Sequence, residues 1–215
     1  MASPWLDVPL AEYEGHMELA GQASMLDQIF GRALRALRPQ SVAVLGAAGG
    51  NGFGHLAECK VARTVALDLN PAYLTELERR YRDLVQDLEI VCGDLGDPAT
   101  GFAPVDLIYA ALVFEYVDLN RTLERIQGWM QPGGALWVVL QLPDRKRPGV
   151  TPSPFKSLSG LGNAMTLRNE GEFRKAATLA GFIEDSDGII TTPGGKRFFS
   201  ACYRGGVVSR SAQKT

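Results

Sequence analysis

The stretch SVAVLGAAGGNGFGHL, residues 41–56, decides the fold. Its apolar run, residues 42–45, ends in a cluster of glycines and alanines, and an apolar-periodic segment follows. This is the pattern of a β-strand that ends in a tight turn and opens an α-helix. Glycines let a ligand approach the main chain closely, and the helix that follows offers unpaired N–H groups. The stretch therefore predicts a site for a nucleotide-like cofactor.

An acidic residue near the end of the second apolar run strengthens this prediction. Asp68 lies in TVALDL, residues 64–69, and follows Gly46 by 22 residues. A carboxylate at that separation, at the tip of the second strand, can accept hydrogen bonds from both hydroxyls of a ribose. The alternative is a loop that merely needs glycine, with Asp68 as a helix cap.

The bulk composition excludes few functions. The 215 residues fit one domain with a substantial core, and the net charge of −2 gives no electrostatic reason to expect nucleic acid. Three cysteines without metal-ligand spacing favour reduced thiols in a cytoplasm. No leader-like or membrane-spanning run is present in the sequence. We therefore expect a cytoplasmic monomer or homodimer that acts on a small molecule, away from membranes and nucleic acid.

Strands alternate with helices along most of the chain. The apolar runs predict strands over residues 42–45, 64–69, 88–92, 105–110 and 135–141. Asn70 and Asp118 are suited to cap the helices that follow them, and Ser24 to cap an earlier one. The alternation predicts a doubly wound α/β fold with a parallel sheet covered on both faces. Because ligands bind at the carboxyl ends of such strands, we expect Gly46, Asp68 and Asp94 to converge.

The last third of the chain breaks the alternation. Residues 142–168 are rich in proline and charge, which predicts an irregular lid or substrate loop, or a tolerated insertion. Two strand-like runs, residues 181–192 and 196–204, flank a Pro-Gly-Gly turn and predict an antiparallel hairpin. The predicted organisation is an N-terminal helical arm (1–40), a main domain (41–204) and a disordered tail (205–215).

Five segments, in this order, resemble the class I S-adenosylmethionine-dependent methyltransferases. VAVLGAAGGNG resembles motif I of that family, ALDLN its ribose-binding strand end, and VCGDL its adenine-binding strand end. VDLIYAALVFEYV resembles the fourth-strand segment, and MQPGGALWVVL resembles the lead into strand five. The resemblance covers residues 41–204 and implies a Rossmann-like sheet of seven strands, mostly parallel with an antiparallel last strand. It also implies S-adenosylmethionine as cofactor and methyl transfer as the reaction.

The resemblance also implies the cofactor-binding residues. Asp68 would hold the ribose, Asp94 would meet the adenine amino group, and Tyr13 of the arm would either fold over the cofactor or anchor the arm to the core. The full implied set is Gly46, Ala47, Ala48, Gly50, Asp68, Leu69, Asp94, Leu95, Ala110 and Tyr13. The two histidines are too far apart in sequence to suggest a metal pair, so no metal is expected.

There are two candidate catalytic residues, one near the end of the fourth-strand segment and one in the arm. Tyr116 stands where the family often has a histidine, and it either orients or deprotonates the acceptor, or packs with its hydroxyl in water. An unperturbed tyrosine is a poor base at neutral pH, which favours packing. His16 of the arm either covers the site or anchors the arm to the core.

Two other functions stay open at this point. Val44 replaces an acidic residue of the family and Ala48 replaces its middle glycine, which suggests a non-catalytic or regulatory S-adenosylmethionine-binding protein as one alternative. The other is a nicotinamide-dependent oxidoreductase or epimerase, because Gly46, Gly49 and Gly52 also fit the dinucleotide-binding turn. That alternative lacks a tyrosine with a lysine four residues later, the pair that short-chain dehydrogenases need for proton transfer.

Overall fold

The computed structural model describes residues 3–205, which contain seven strands. They are β1 (Ser41–Leu45), β2 (Arg63–Asp68), β3 (Leu88–Cys92), β4 (Val105–Ala111), β5 (Met130–Gln141), β6 (Phe182–Thr191) and β7 (Arg197–Gly205). They form one sheet in the order β3-β2-β1-β4-β5-β7-β6. The neighbours from β3 to β5 pair in parallel, whereas β7 pairs antiparallel with both β5 and β6. The predicted seven-stranded α/β fold with an antiparallel last strand is confirmed.

Seven α-helices accompany the sheet within the described residues. They are α1 (Leu10–Leu19), α2 (Gln22–Leu37), α3 (Gly54–Glu58), α4 (Pro71–Tyr81), α5 (Leu119–Gly128), α6 (Leu161–Ala164) and α7 (Glu170–Leu179). Short 3-10 helices cover Pro4–Asp7 and Lys156–Gly160. No helix among these residues is both long and apolar enough to cross a bilayer.

The helix starts explain why the chain turns where it does. The side chain of Asn70 accepts a hydrogen bond from the Ala72 amide, and Pro71 opens α4. Asp118 caps α5 in the same way. Before α7, Asn169 and Glu172 exchange side-chain and backbone bonds of 2.9 and 2.8 Å, a complete capping box.

Three local predictions were wrong. Ser24 does not cap α2, because the helix begins at Gln22 after Gly21, whose φ is +66°. Strand β5 begins at Met130, before the predicted residue 135, and its pairing with β4 is irregular near its start. Residues 142–168, predicted to lack regular structure, contain the 3-10 helix of residues 156–160 and α6.

The core lies on both faces of the sheet. On one face α5 and α7 pack through Leu123, Ile126 and Phe173. On the other, α2 and α4 pack through side chains such as Phe30 and Leu77. Burial on both faces explains why the central strands read as continuous apolar runs. At the C-terminus Gly205 is the last residue of β7, and residues 206–215 of the predicted disordered tail lie outside the described residues.

Candidate active site

The carboxyl ends of β1, β2 and β3 line one cavity of about 140 Å³, here called the strand-end cavity. Besides Tyr13 of the arm, six of the ten predicted cofactor residues line it: Gly46, Ala48, Asp68, Leu69, Asp94 and Leu95. Each of them follows or ends one of these three strands, so the parallel sheet order alone brings them together. The cavity lies outside the carboxyl ends of the strands, near the point where the strand order reverses, which is where such sheets bind ligands.

Asp68 is the buried acid of the strand-end cavity, with 9% of its surface exposed. Its Oδ2 accepts a hydrogen bond from the Ala48 amide and its Oδ1 one from the Asn70 amide, each at 2.8 Å. Burial raises the pKa of this carboxyl, and the amide donors oppose that rise. A carboxylate accepts about four hydrogen bonds, so Asp68 retains acceptor capacity toward the cavity.

Asp94 is the exposed acid of the same cavity. Its Oδ1 accepts a bond of 2.7 Å from the Gly96 amide, which fixes the carboxylate at the end of β3. The two acids therefore differ: Asp68 is held inside the protein, and Asp94 stands at the rim.

The glycine-rich turn closes tightly against the β4 end. Gly46 has φ +68°, and a Cβ there would lie 2.7 Å from Val113 Cγ2. Ala48 is also left-handed, with φ +45°, a conformation that strains a non-glycine residue. Leu112, at the β4 end, has φ +57°. Strained backbone at Ala48 and Leu112 therefore flanks the strand-end cavity, where functional sites often store it.

Three predicted cofactor residues do not line the strand-end cavity. Gly50, with φ +85°, packs against α4, because a Cβ there would lie 2.5 Å from Tyr81 Cε2. Ala110 is fully buried in the core, and the next residue, Ala111, lines the cavity instead. Ala47 lines a neighbouring cavity. The displacement at Ala110 has a simple cause: β4 is one residue longer than the apolar run indicated.

That neighbour is the glycine-turn cavity, about 440 Å³, which lies beside the turn after β1. Val44, the residue that replaces the family's acid, lines it. Carboxylates from other elements line the same cavity: Glu14 and Glu18 of α1, and Asp27 of α2. Arg80 lines the cavity as well and pairs with Glu14, so the negative charge that reaches this cavity from the N-terminal helices is that of Glu18 and Asp27.

The N-terminal segment covers the strand-end cavity with aromatic rings. Trp5 makes edge-to-face contacts with Tyr13, at 5.6 Å between ring centroids, and with Tyr116, at 5.0 Å. Tyr13 in turn stacks on Tyr73 of α4 at 6.1 Å. All four rings line the strand-end cavity, so the sequence prediction that the arm folds over this place agrees with the geometry. Trp5 and Tyr73 were missed: the aromatic density of residues 1–22 indicated Trp5 only in a general way, and no signal pointed to Tyr73.

Hydrogen bonds fix this aromatic cover to α4. The Tyr73 hydroxyl donates to the Val8 carbonyl at 2.8 Å, and the Asn70 side chain donates to the Trp5 carbonyl at 3.0 Å. Arg80 forms an ion pair with Glu14 and also donates to the Gly49 carbonyl at 3.2 Å. The arm is therefore bound to α4, the helix that follows Asp68.

His16 lines a third, smaller cavity of about 50 Å³, here called the arm cavity. It lies between α1, the segment 142–168, the end of β5 and the turn between β6 and β7. His16 Nδ1 is 3.0 Å from Ser153 Oγ, and its pKa is lowered by burial and by the charge of Lys196. The imidazole is therefore neutral near pH 7.

Tyr116 lies between the strand-end cavity and the arm cavity and lines both. Burial raises the pKa of its hydroxyl far above 10, and the neighbouring Glu115 carboxylate raises it further. A hydroxyl held in its protonated form is not a base at neutral pH. Of the two predicted catalytic residues, only His16 therefore has a protonation state suited to accept a proton. Within residues 3–205, no three His, Cys, Asp or Glu side chains are grouped to hold a metal ion.

Comparison with known proteins gives one family match. Residues 43–138 match the model of the family described as methyltransferase domain. This segment runs from β1 into β5 and contains the turn, both acids and the β4 end. No curated protein matches the chain significantly.

Solved structures show the same fold. An S-adenosylmethionine-dependent methyltransferase from Mesorhizobium loti is 20% identical, with a TM-score of 0.64 over 80% of this chain and 96% of its own. Magnesium protoporphyrin IX methyltransferase from Synechocystis, with bound S-adenosylhomocysteine, is 14% identical, with a TM-score of 0.65 over 86% and 84%. A chain of the complex between the Haloferax volcanii Trm112 activator and a methyltransferase is 19% identical, with a TM-score of 0.68 over 92% and 94%. At these identities the likeness concerns the fold.

Proposed function

We propose that this chain is an S-adenosylmethionine-dependent methyltransferase and that it methylates a small-molecule acceptor bound in the arm cavity. S-adenosylmethionine, when bound, supplies a methyl group that its sulfonium sulfur activates for in-line attack. The protein then has mainly to align the acceptor and to exclude water. The observation that carries the proposal is the pair of acids at the β2 and β3 ends in one cavity, beside a second cavity lined by carboxylates.

The described residues suit the parts of this cofactor. Asp68 has acceptor capacity for the ribose hydroxyls, and Asp94 stands where an amino group of the adenine would be met. Leu69 and Leu95 give apolar walls for the base. The carboxylates of the glycine-turn cavity complement a ligand with an ammonium and a sulfonium group.

The aromatic cover and His16 supply the remaining roles in the proposal. Trp5, Tyr13 and Tyr116 line both the strand-end and the arm cavities, and they exclude water from the place where the two cavities meet. Tyr116 is a positioning residue, because its hydroxyl stays protonated. The neutral imidazole of His16 accepts the proton that an O–H or N–H acceptor loses.

A nicotinamide cofactor fits less well. Dinucleotide-binding sheets of the doubly wound type continue in parallel, whereas β7 here runs antiparallel between β5 and β6. The matched family is also a methyltransferase family.

Calorimetry with S-adenosylhomocysteine tests the cofactor half of the proposal. We expect the wild-type protein to bind it and Asp68→Asn to bind at least about tenfold more weakly, since two charge-assisted hydrogen bonds are weakened. Asp83→Asn, which changes an exposed acid just after α4, is the matched control and should bind like the wild type. No binding by the wild type would refute the proposal.

Turnover against a metabolite library tests the catalytic half. We expect His16→Gln to lower kcat by about 100-fold or more while S-adenosylhomocysteine affinity stays within about twofold. Cofactor binding without turnover of any acceptor would instead support a regulatory binding protein. Equal turnover by wild type and variant would remove His16 from the chemistry.

A further inference from the structure

Lys196 places a cation in the wall of the arm cavity. It precedes β7 in the turn after β6, and only 7% of its surface is exposed. Its Nζ donates to the Gly149 carbonyl and lies 3.4 Å from Gln141 Oε1. Across residues 3–205 it forms no salt bridge, so both partners are neutral oxygens.

A buried ammonium without a counter-charge is costly, because burial removes its hydration. Burial lowers the pKa of Lys196 to about 8, which leaves most molecules charged at pH 7. A methionine would fill the same space without that cost. Stability alone therefore does not explain a lysine here, and a ligand of opposite charge would.

The other walls of the arm cavity are largely apolar. Leu158 and Leu161 come from the segment 142–168 and belong to a small hydrophobic cluster with Val8 of the arm. His16 adds a polar group that is neutral near pH 7, because its pKa is lowered. The cavity volume of about 50 Å³ corresponds to a few water molecules, so the matching ligand part is short.

The two ends of the arm cavity differ. It shares Trp5, Tyr13, Leu112 and Tyr116 with the strand-end cavity, whereas Lys196 lines the arm cavity only. A ligand held by its charge at Lys196 would therefore present its other end to the shared wall. The residues of that shared wall also line the strand-end cavity, where the cofactor is proposed to bind.

We propose that the methyl acceptor carries a carboxylate that pairs with Lys196, with a short apolar portion against Leu158 and Leu161. Only the identification of this carboxylate ligand as the methyl acceptor rests on the proposed function. The arm cavity as a carboxylate site stands on its own contacts. Lys196 is then a specificity-determining residue of this site.

Binding of butyrate and butyramide, followed by protein NMR titration, tests the proposal. The two probes have the same shape and differ in charge. We expect wild-type protein, with and without S-adenosylhomocysteine, to bind butyrate at least about tenfold more tightly than butyramide. Equal affinity for the two probes, or no butyrate binding, would overturn the proposal. Inorganic phosphate binding as tightly as butyrate would overturn the choice of a carboxylate.

Three variants assign the effect to Lys196. Lys196→Met keeps the length of the side chain and should lose the preference for butyrate, whereas Lys196→Arg should keep it within about threefold. Lys146→Met removes an exposed lysine of the segment 142–168 and is the matched control. A Lys196→Met protein that still prefers butyrate would refute the assignment. If Lys196→Met does not fold, the two probes on the wild type still decide.

The two proposals fail in different ways. If the wild type does not bind S-adenosylhomocysteine, the methyl-transfer proposal is refuted, and the butyrate preference can still be measured independently. Conversely, normal cofactor binding with no preference for butyrate would refute only the carboxylate. We also expect the melting temperature of Lys196→Met to equal or exceed that of the wild type without ligand, whereas a purely structural role predicts a decrease.

Discussion

The strand-end cavity and the arm cavity adjoin each other but are built in different ways. The strand-end cavity takes its acids and its turn from the ends of β1, β2 and β3, all within residues 46–95. The arm cavity takes its polar side chains from distant places: His16 of α1, Gln22 of α2, Gln141 at the end of β5, and Lys196 before β7. One site is a product of sheet order, and the other depends on loops that fold onto the sheet.

This difference shows which part of the site follows from the sheet order and which part depends on the packing of loops and sets specificity. Any parallel sheet of this order brings the β1, β2 and β3 ends to one edge, whatever segments are added elsewhere. The position of Lys196 relative to His16 depends instead on how residues 3–20 and 142–168 pack. Loops held on a rigid scaffold are where binding differences are expected. In the proposed function the sheet would therefore set the cofactor site, and these two segments would set the acceptor site.

Substitution of Glu115, beside the arm cavity, has the largest expected effect on stability. It is buried, its Oε1 accepts from the Gln141 amide at 2.7 Å, and its carbonyl accepts from the Thr166 amide. It thus joins β4, β5 and the segment 142–168. Its Oε2 is without a hydrogen-bond partner among the described residues, and burial raises its pKa to about 7.

We expect Glu115→Gln to stabilise the protein at pH 8. The folded-state pKa lies above the unfolded value, so the native state holds the extra proton between them. Stability should fall as pH rises from about 4.5 to about 7, and removal of the carboxyl should cancel this fall. The expected gain is about 3 kcal/mol at pH 8 and near zero at pH 4.5. Urea unfolding across this pH range measures it.

Glu124→Gln, an exposed change on α5, is the control and should leave the pH profile as it is. A Glu115→Gln profile that falls with pH like the wild type would show that Glu115 does not titrate there. Such a result would also show that Glu115 is not an uncompensated buried acid at the junction of β4, β5 and the segment 142–168.

Tyr73→Phe tests the link between the two cavities. The hydroxyl of Tyr73 donates to the Val8 carbonyl, so its removal leaves a buried carbonyl without this donor. We expect a loss of about 1–2 kcal/mol and faster hydrogen exchange over residues 3–20. Tyr81→Phe is the matched control on the same helix. Unchanged exchange in the arm would show that other contacts suffice to hold it.

Residue patterns predicted the strand-end side because its signals are local. Strand, turn and acid follow one another within about thirty residues, and Gly46 and Asp68 needed no distant contact to be recognised. Gly50 and Ala110 lie outside the strand-end cavity, which the motif could not foresee because it does not tell which glycine faces a helix or where a strand ends.

The arm side could not be predicted in the same way. Lys196 gave no signal in the sequence, since a lysine after Pro-Gly-Gly at a hairpin turn is expected to be exposed. Its burial follows from the packing of residues 142–168, which carry no periodic pattern. Val44 showed only that the acidic residue of the resembled family is missing at this position. The sequence did not show that acids from α1 and α2 lie near it.

Ala48→Gly gives the smallest effect and acts on the strand-end side alone. Ala48 has φ +45°, and its amide is held by Asp68 Oδ2 at 2.8 Å. Glycine removes a strain of about 1–2 kcal/mol and adds a folding entropy cost of about 0.5–1 kcal/mol, so the net gain should be about 0.5–1 kcal/mol. Ala47→Gly, the neighbour without positive φ, should lose about 1 kcal/mol instead. Thermal unfolding compares them. A stabilised Ala48→Gly protein with unchanged butyrate affinity would show the two cavities to be energetically separate, whereas altered butyrate binding would show that the turn and the arm act together.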